Sequence, residues 1–272
     1  MTLLFATLIG VFITPDGVVV GADTAITSRA GQSIRQKYCV TGPRAVATLQ
    51  GVYELKDTET KATVGLYDYF RDFCARIDRT QLPATLRGQA EFIAEAMRGA
   101  LDKFLRDVPA EEIIHKYGAP RADRVVARIA VSGYDADGLP ASAVVGLGIA
   151  TDPPTNRWEA QVQFLMRLTF RQCGVKLHGQ EVVVMGLRNP KDARLPDAER
   201  RKPQLEKLSG LIGGVCSDAS ITSAPGMFVE AAKLTVAYGT RYGIQPGIVN
   251  LPLDIVVIPK DGALSVSHVS SW

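Results

Sequence analysis

The sequence is short of the residues that most often announce a function. Only three histidines occur in 272 residues, at 115, 178 and 268, and the four cysteines, at 39, 74, 173 and 216, form no Cys-x-x-Cys pair. That spacing builds no zinc site, so no metal is expected. An even cysteine count permits disulfides as well as buried free thiols and leaves the redox compartment open. There is no Gly-x-Ser-x-Gly elbow, no phosphate loop and no paired-histidine motif. Serine hydrolases of the elbow type, nucleotide binders and zinc peptidases therefore lose their usual signals, and no cofactor is expected. Charge is nearly balanced: 31 Lys and Arg against 28 Asp and Glu leave a net +3. So small and dispersed an excess points to neither a nucleic-acid nor a membrane partner. Long apolar runs are scarce as well. The first thirteen residues, MTLLFATLIGVFI, resemble the middle of a secretory signal, but they lack a basic leading region and run into Thr14-Pro15-Asp16-Gly17. No other stretch reaches the roughly 18 to 20 apolar residues that a membrane helix needs. These absences predict a soluble, cytoplasmic protein, with a secreted or periplasmic location left open should a signal lie upstream.

What is present is a core. With 46% apolar and 22% charged residues, the composition suits a single domain over residues 1–272. Residues 7–14 (TLIGVFIT) and 17–22 (GVVVGA) are short, β-branched and continuously apolar around Pro15-Asp16-Gly17, which predicts a hairpin buried on both faces. Lys37 to Val40 and Ala45 to Gln50 continue as two more strands. Helical periodicity follows, with stripes at Leu66, Phe70, Phe73 and Ile77, then at Leu86, Ala90, Ile93, Met97, Leu101 and Phe104. Strand signals return at Arg124 to Ser132, Ala141 to Ile149 and Trp158 to Phe170, and Val182 to Met185 reads as a short mid-chain strand. Residues 188–207 are dense in Arg, Lys, Asp, Glu and Pro, and the 187–210 region reads as a solvated loop and exposed helix inserted into the domain. Gly226 to Tyr242 reads as a helix, and Leu251 to Ile258 with Ala263 to Val269 as a closing hairpin. Strands, two helices, strands, helix, strands, with no linker between them, is the order of a four-layer α/β/β/α sandwich of two antiparallel sheets, an α+β fold.

The segment ATLIGVFITPDGVVVGADTAIT, the later Gln36-Lys37-Tyr38, and Ala47-Thr48-Leu49-Gln50-Gly51 resemble proteasome β-subunits and their bacterial relatives. The resemblance implies an N-terminal-nucleophile hydrolase fold. It places the catalytic threonine at Thr7, its supporting aspartate at Asp23, the lysine at Lys37 and an oxyanion-hole amide at Gly51. Weaker echoes are Val126 to Tyr134-Asp135 and Leu253 to Gly262. The chemistry needs these residue types. A threonine hydroxyl is a poor nucleophile until a base takes its proton, and the α-amine of a first-residue threonine, with a pKa of roughly 8, can do so. Lys37 would favour the developing alkoxide, Asp23 would hold its ammonium charged, and Gly51 would donate to the tetrahedral oxyanion.

The implied activity is a threonine-dependent peptidase or amidase acting on a peptide or protein substrate, assembled as a homo-oligomeric ring. It requires cleavage of Ala6-Thr7, with residues 1–6 as a propeptide. Thr2, exposed by removal of Met1, is the rival nucleophile, but it lies five residues upstream, some 16 Å away at about 3.3 Å per strand residue. The chain departs from the family pattern at Ala25, at Met185-Gly186-Leu187-Arg188 and at Gln245-Pro246-Gly247-Ile248-Val249-Asn250, where residues supporting the amine are expected. Those departures keep two alternatives open: a catalytically inactive protein on the same fold that binds or builds, and an amidase for small amides.

Overall fold

The computed structural model describes residues 8–28, 31–34, 36–51, 54–56, 63–107, 125–152, 157–169, 175–179, 181–213, 219–244, 246–247 and 249–271. In chain order these form β1 (Leu8–Thr14), β2 (Gly17–Asp23), β3 (Ala25–Ser28), β4 (Gly31–Ile34), β5 (Tyr38–Gly42), β6 (Ala45–Gly51), β7 (Glu54–Lys56), β8 (Thr63–Gly65), α1 (Leu66–Arg76) and α2 (Leu86–Asp107). There follow β9 (Val125–Tyr134), β10 (Pro140–Asp152), β11 (Arg157–Thr169), β12 (Val175–Gly179), α3 (Glu181–Met185), α4 (Asp197–Arg200), α5 (Pro203–Ile212), α6 (Ala224–Tyr238), β13 (Leu253–Pro259) and β14 (Ser265–Val269). One five-stranded antiparallel sheet runs β12-β1-β2-β13-β14, the other β11-β10-β9-β6-β5.

Alternation along β1 explains the layering. Leu8 and Phe12 join a helix-side core with Phe228, Leu234 and Leu253, whereas Ile9, Val11 and Ile13 join an inter-sheet core with Val18, Val20 and Val256. Every residue of β1 and β2 is buried, because successive side chains enter different cores on opposite faces. The second sheet carries α1 and α2 on its outer face. Leu86, Ala90, Ile93, Met97, Leu101 and Phe104, the stripe expected from the sequence, are all buried against Ile129, Val131 and Val145. The four-layer α/β/β/α sandwich is thus the observed fold.

Two close contacts fix the layers. Gly10 and Gly21 face one another across β1 and β2, and the ring of Phe228 from α6 lies against both; a Cβ at Gly10 would come within 2.6 Å of it. Cys39 of β5 and Cys74 of α1 form a disulfide, with Cα atoms 5.8 Å apart, tying the outer helix to the strand that follows Lys37. This settles one of the cysteine alternatives for that pair.

Two sequence expectations change, and a third gains detail. Short hairpins β3–β4 and β7–β8 occur where no strands are expected. Val182 to Met185 lies in a helix, with Val183 and Val184 fully buried under α6, and the strand at this point is β12. The charged segment after residue 187 is mostly exposed, as expected, and a few buried contacts anchor it. Leu195, Leu205 and Leu208 are buried, and the Arg200 guanidinium donates to the carbonyls of Gly186 (2.7 Å), Leu187 (3.1 Å) and Asp192 (2.7 Å). Asp192 accepts from Arg194 and Tyr242, which holds its carboxyl well below the usual carboxylate range.

Candidate active site

The end of the sandwich where β1 begins brings together two of the four residues picked out by spacing, Asp23 and Lys37. Asp23 closes β2, opposite Leu253 of β13. The chain is then pinned as it leaves the strand, because both the amide and the hydroxyl of Thr24 donate to the carbonyl of Pro252, at 3.1 and 2.7 Å. Lys37 stands just before β5, its carbonyl accepting from the Leu49 amide of β6 at 3.1 Å. One sheet therefore holds the aspartate and the other holds the lysine.

They meet between the sheets. The Lys37 ammonium donates to both Asp23 carboxylate oxygens at 3.1 Å, and both side chains are 0% exposed. Read in isolation, an Asp and a Lys at this spacing form a surface ion pair; the structure buries them instead, where removing either partner is costly. Asp23 Oδ1 also accepts the backbone amide of Leu8 at 2.6 Å. The residue directly before Leu8 is Thr7, which lies outside the described residues, as do Ala6 and Thr2. Burial pulls the Lys37 pKa below its ordinary 10.5, outweighing the raising effect of Asp23. An ammonium stripped of water loses more than one carboxylate returns. Asp23 favours the charged form, as expected, while burial opposes it and sets the net direction.

Gly51 ends β6, two residues beyond Leu49, with φ +143°, and a Cβ there would run into the Val126 carbonyl and lie 2.6 Å from the Ala127 Cα. Backbone conformation and space both demand glycine at this point. The preceding Gln50 is 6% exposed, and its side-chain carbonyl has no hydrogen-bond partner among the described residues. Spacing rules pass over that acceptor, since nothing in the sequence marks which glutamines are buried.

A second acid was also missed. Asp254 of β13 is 4% exposed, pairs in register with Ala22, and lies 2.6 Å from Nδ1 of His268 on β14. Burial together with the Asp254 charge pushes the phenol of Tyr38, the residue after Lys37, above its ordinary pKa. The available signal was a lone aspartate inside the apolar run Leu253 to Ile258. Asn250 accepts from the Leu251 amide at 2.8 Å through its own side chain, a local turn contact. Among the described residues no three His, Cys, Asp or Glu side chains gather as a metal site, and no helix is long and apolar enough to cross a membrane.

Two antiparallel five-stranded sheets enclosed by helices, with a buried Asp–Lys pair at the head of the first strand, make up an α/β/β/α sandwich. The solved structures that share this fold include a mutant of Anbu from Hyphomicrobium sp. strain MC1, with TM-score 0.52 and 11% identity over 97% of this chain and 87% of that one. Another is Anbu (ancestral beta-subunit) from Yersinia bercovieri, with TM-score 0.50 and 10% identity over 97% and 88%. No family model matches the sequence, and neither does any curated protein. These findings correct the family read from residues 7 to 51. The spacing suggests a bacterial-type proteasome β-subunit, whereas the structural likeness is to Anbu, a distinct proteasome-related group, and is one of fold. The reason is physical: the spacing of Asp23, Lys37 and Gly51 follows from strand lengths that the sandwich sets, so it marks the layers and does not single out one family.

Proposed function

We propose that this chain is a threonine-dependent peptidase or amidase that forms an acyl-enzyme on Thr7 after cleavage of Ala6-Thr7. The observation that carries the reading is the 2.6 Å hydrogen bond from the Leu8 amide to Asp23, itself bound to the buried Lys37. It ties the peptide that follows Thr7 to the only lysine–carboxylate pair that is fully buried on both sides among the described residues.

In the proposed reaction the Thr7 hydroxyl loses its proton to Lys37, whose burial favours the neutral amine. The alkoxide adds to the substrate carbonyl, and the Gly51 amide donates to the resulting oxyanion. The freed α-amine of Thr7 relays a proton to the leaving amine, and water then hydrolyses the Thr7 ester to regenerate the hydroxyl. Asp23 touches no substrate in this scheme; it positions Lys37 and the Leu8 amide. The likeness to Anbu, one example of which is described as an ancestral beta-subunit, further supports assembly into a ring of like copies.

The test is N-terminal sequencing and intact mass of the purified chain beside a Thr7→Ala variant. The reading expects wild type to begin at Thr7 and the variant to retain its leader. A wild-type chain that begins only at Met1 or Thr2 and cleaves no peptide supports the inactive alternative instead.

A further inference from the structure

β5 is the edge strand of its sheet, five residues long, and its ladder with β6 slips register between Val40 and Gly42. No strand lies beyond it among the described residues. Lys37 immediately precedes β5, and two residues further on Cys39, 4% exposed, enters the core that α1 and α2 cover. There it is bonded to Cys74 of α1. The disulfide thus sits directly behind a lysine whose side chain is 0% exposed.

α1 is attached to the body unevenly. Leu66, Tyr67 and Phe70 in its first half are buried, whereas Arg71, Asp72, Ala75 and Arg76 in its second half are exposed. In that second half Phe73 and Cys74 pack against the core, and both are only half-buried. The disulfide is therefore the main tie of this half of the helix, and half-buried Cys74 is the sulfur that a thiolate from solvent meets first. Reduction replaces one bonded pair of sulfurs by two thiols that need more room, in an interior that is close-packed. Outward movement of the second half of α1, and of the edge strand that it clasps, relieves the crowding. Lys37 stands at the head of that strand.

We propose that the Cys39–Cys74 disulfide is a redox-sensitive clasp, which keeps Lys37 buried while oxidised and exposes the Lys37 amine when a dithiol reduces it. The step is a thiol–disulfide exchange. One thiolate of the dithiol attacks the Cys74 sulfur and releases the Cys39 thiolate, which takes a proton; the second thiol then displaces Cys74, and the dithiol leaves as its own disulfide, oxidised by two electrons. The clasp needs no role for Thr7. Pulse acetylation of the full chain with acetic anhydride, read by peptide mapping, tests it, with the exposed Lys260 as internal reference. In the oxidised chain Lys37 should label at least about a hundred-fold more slowly than Lys260. Dithiothreitol should speed Lys37 labelling at least about ten-fold and leave Lys260 unchanged, and reoxidation should reverse the effect. Cys74→Ser should label as the reduced chain does and no longer respond to dithiothreitol, which assigns the effect to this disulfide and not to Cys173 or Cys216. Far-UV circular dichroism follows the fold throughout. Lys37 labelling unchanged on reduction, a dithiothreitol response that persists in Cys74→Ser, or loss of the native spectrum on reduction overturns the proposal, the last because the bond is then a staple of the whole fold.

Discussion

On the proposed reading Lys37 has two roles that substitutions can separate. As a buried partner of Asp23 it contributes to stability, and Lys37→Met would strand the carboxylate at 0% exposure. We expect a loss of about 3 to 5 kcal/mol in urea unfolding, with Asp23→Leu added to Lys37→Met recovering part of it. As a proton acceptor, Lys37 must reach its neutral form. Its pKa is lowered by burial, so the folded chain binds fewer protons here than the unfolded chain, in which the group titrates near 10.5. Its contribution to stability should therefore increase as pH rises from the lowered pKa towards 10.5. Activity should rise along the same acid limb. Lys37→Arg keeps the charge and cannot supply a neutral amine, so it should cost about 10²- to 10⁴-fold in kcat. Near-normal turnover in Lys37→Arg would show that charge alone is required.

At the scale of elements, the β1–β2 hairpin is both platform and site. The paired Gly10 and Gly21 let the Phe228 ring lie flat on it, so Gly21→Val should cost about 1 to 3 kcal/mol by overpacking, read as a shift in urea midpoint. The Cys39–Cys74 disulfide closes a separation of 35 residues behind Lys37, and Cys74→Ser should lower stability by about 3 to 4 kcal/mol. Much at this scale was legible in the sequence. Runs buried on both faces read as continuous β-branched stretches, and the α2 stripe read as a helix, because each pattern reflects a single dominant contact surface. Val182 to Met185 misled for the converse reason: its β-branched residues have strand propensity, but packing of Val183 and Val184 beneath α6 decides the outcome. Small hairpins such as β3–β4 have no large apolar face to leave a pattern. Spacing picked out Asp23, Lys37 and Gly51, the first two of which the structure pairs, and passed over Gln50 and Asp254, since burial of a polar side chain is a tertiary fact.

For the whole molecule, the sandwich brings the head of β1 to the seam between two sheets, where a lysine from one meets an aspartate from the other. The likeness in fold extends across 97% of the chain at 10 to 11% identity, so the layers persist where the sequence does not. A ring of like copies would appear in native mass spectrometry as a closed multiple of the 29.3 kDa chain, or of its processed form; a monomer at micromolar concentration would remove the ring from the account. The central proposal is that Thr7, the residue before the Leu8 amide that Asp23 binds, is the nucleophile. Intact mass after treatment with a peptide epoxyketone tests it most directly. The account predicts a chain beginning at Thr7 that gains one adduct, with both the new terminus and the adduct lost in Thr7→Ala. An adduct that survives Thr7→Ala, or a wild-type chain that still carries Ala6 and takes no label, would contradict it.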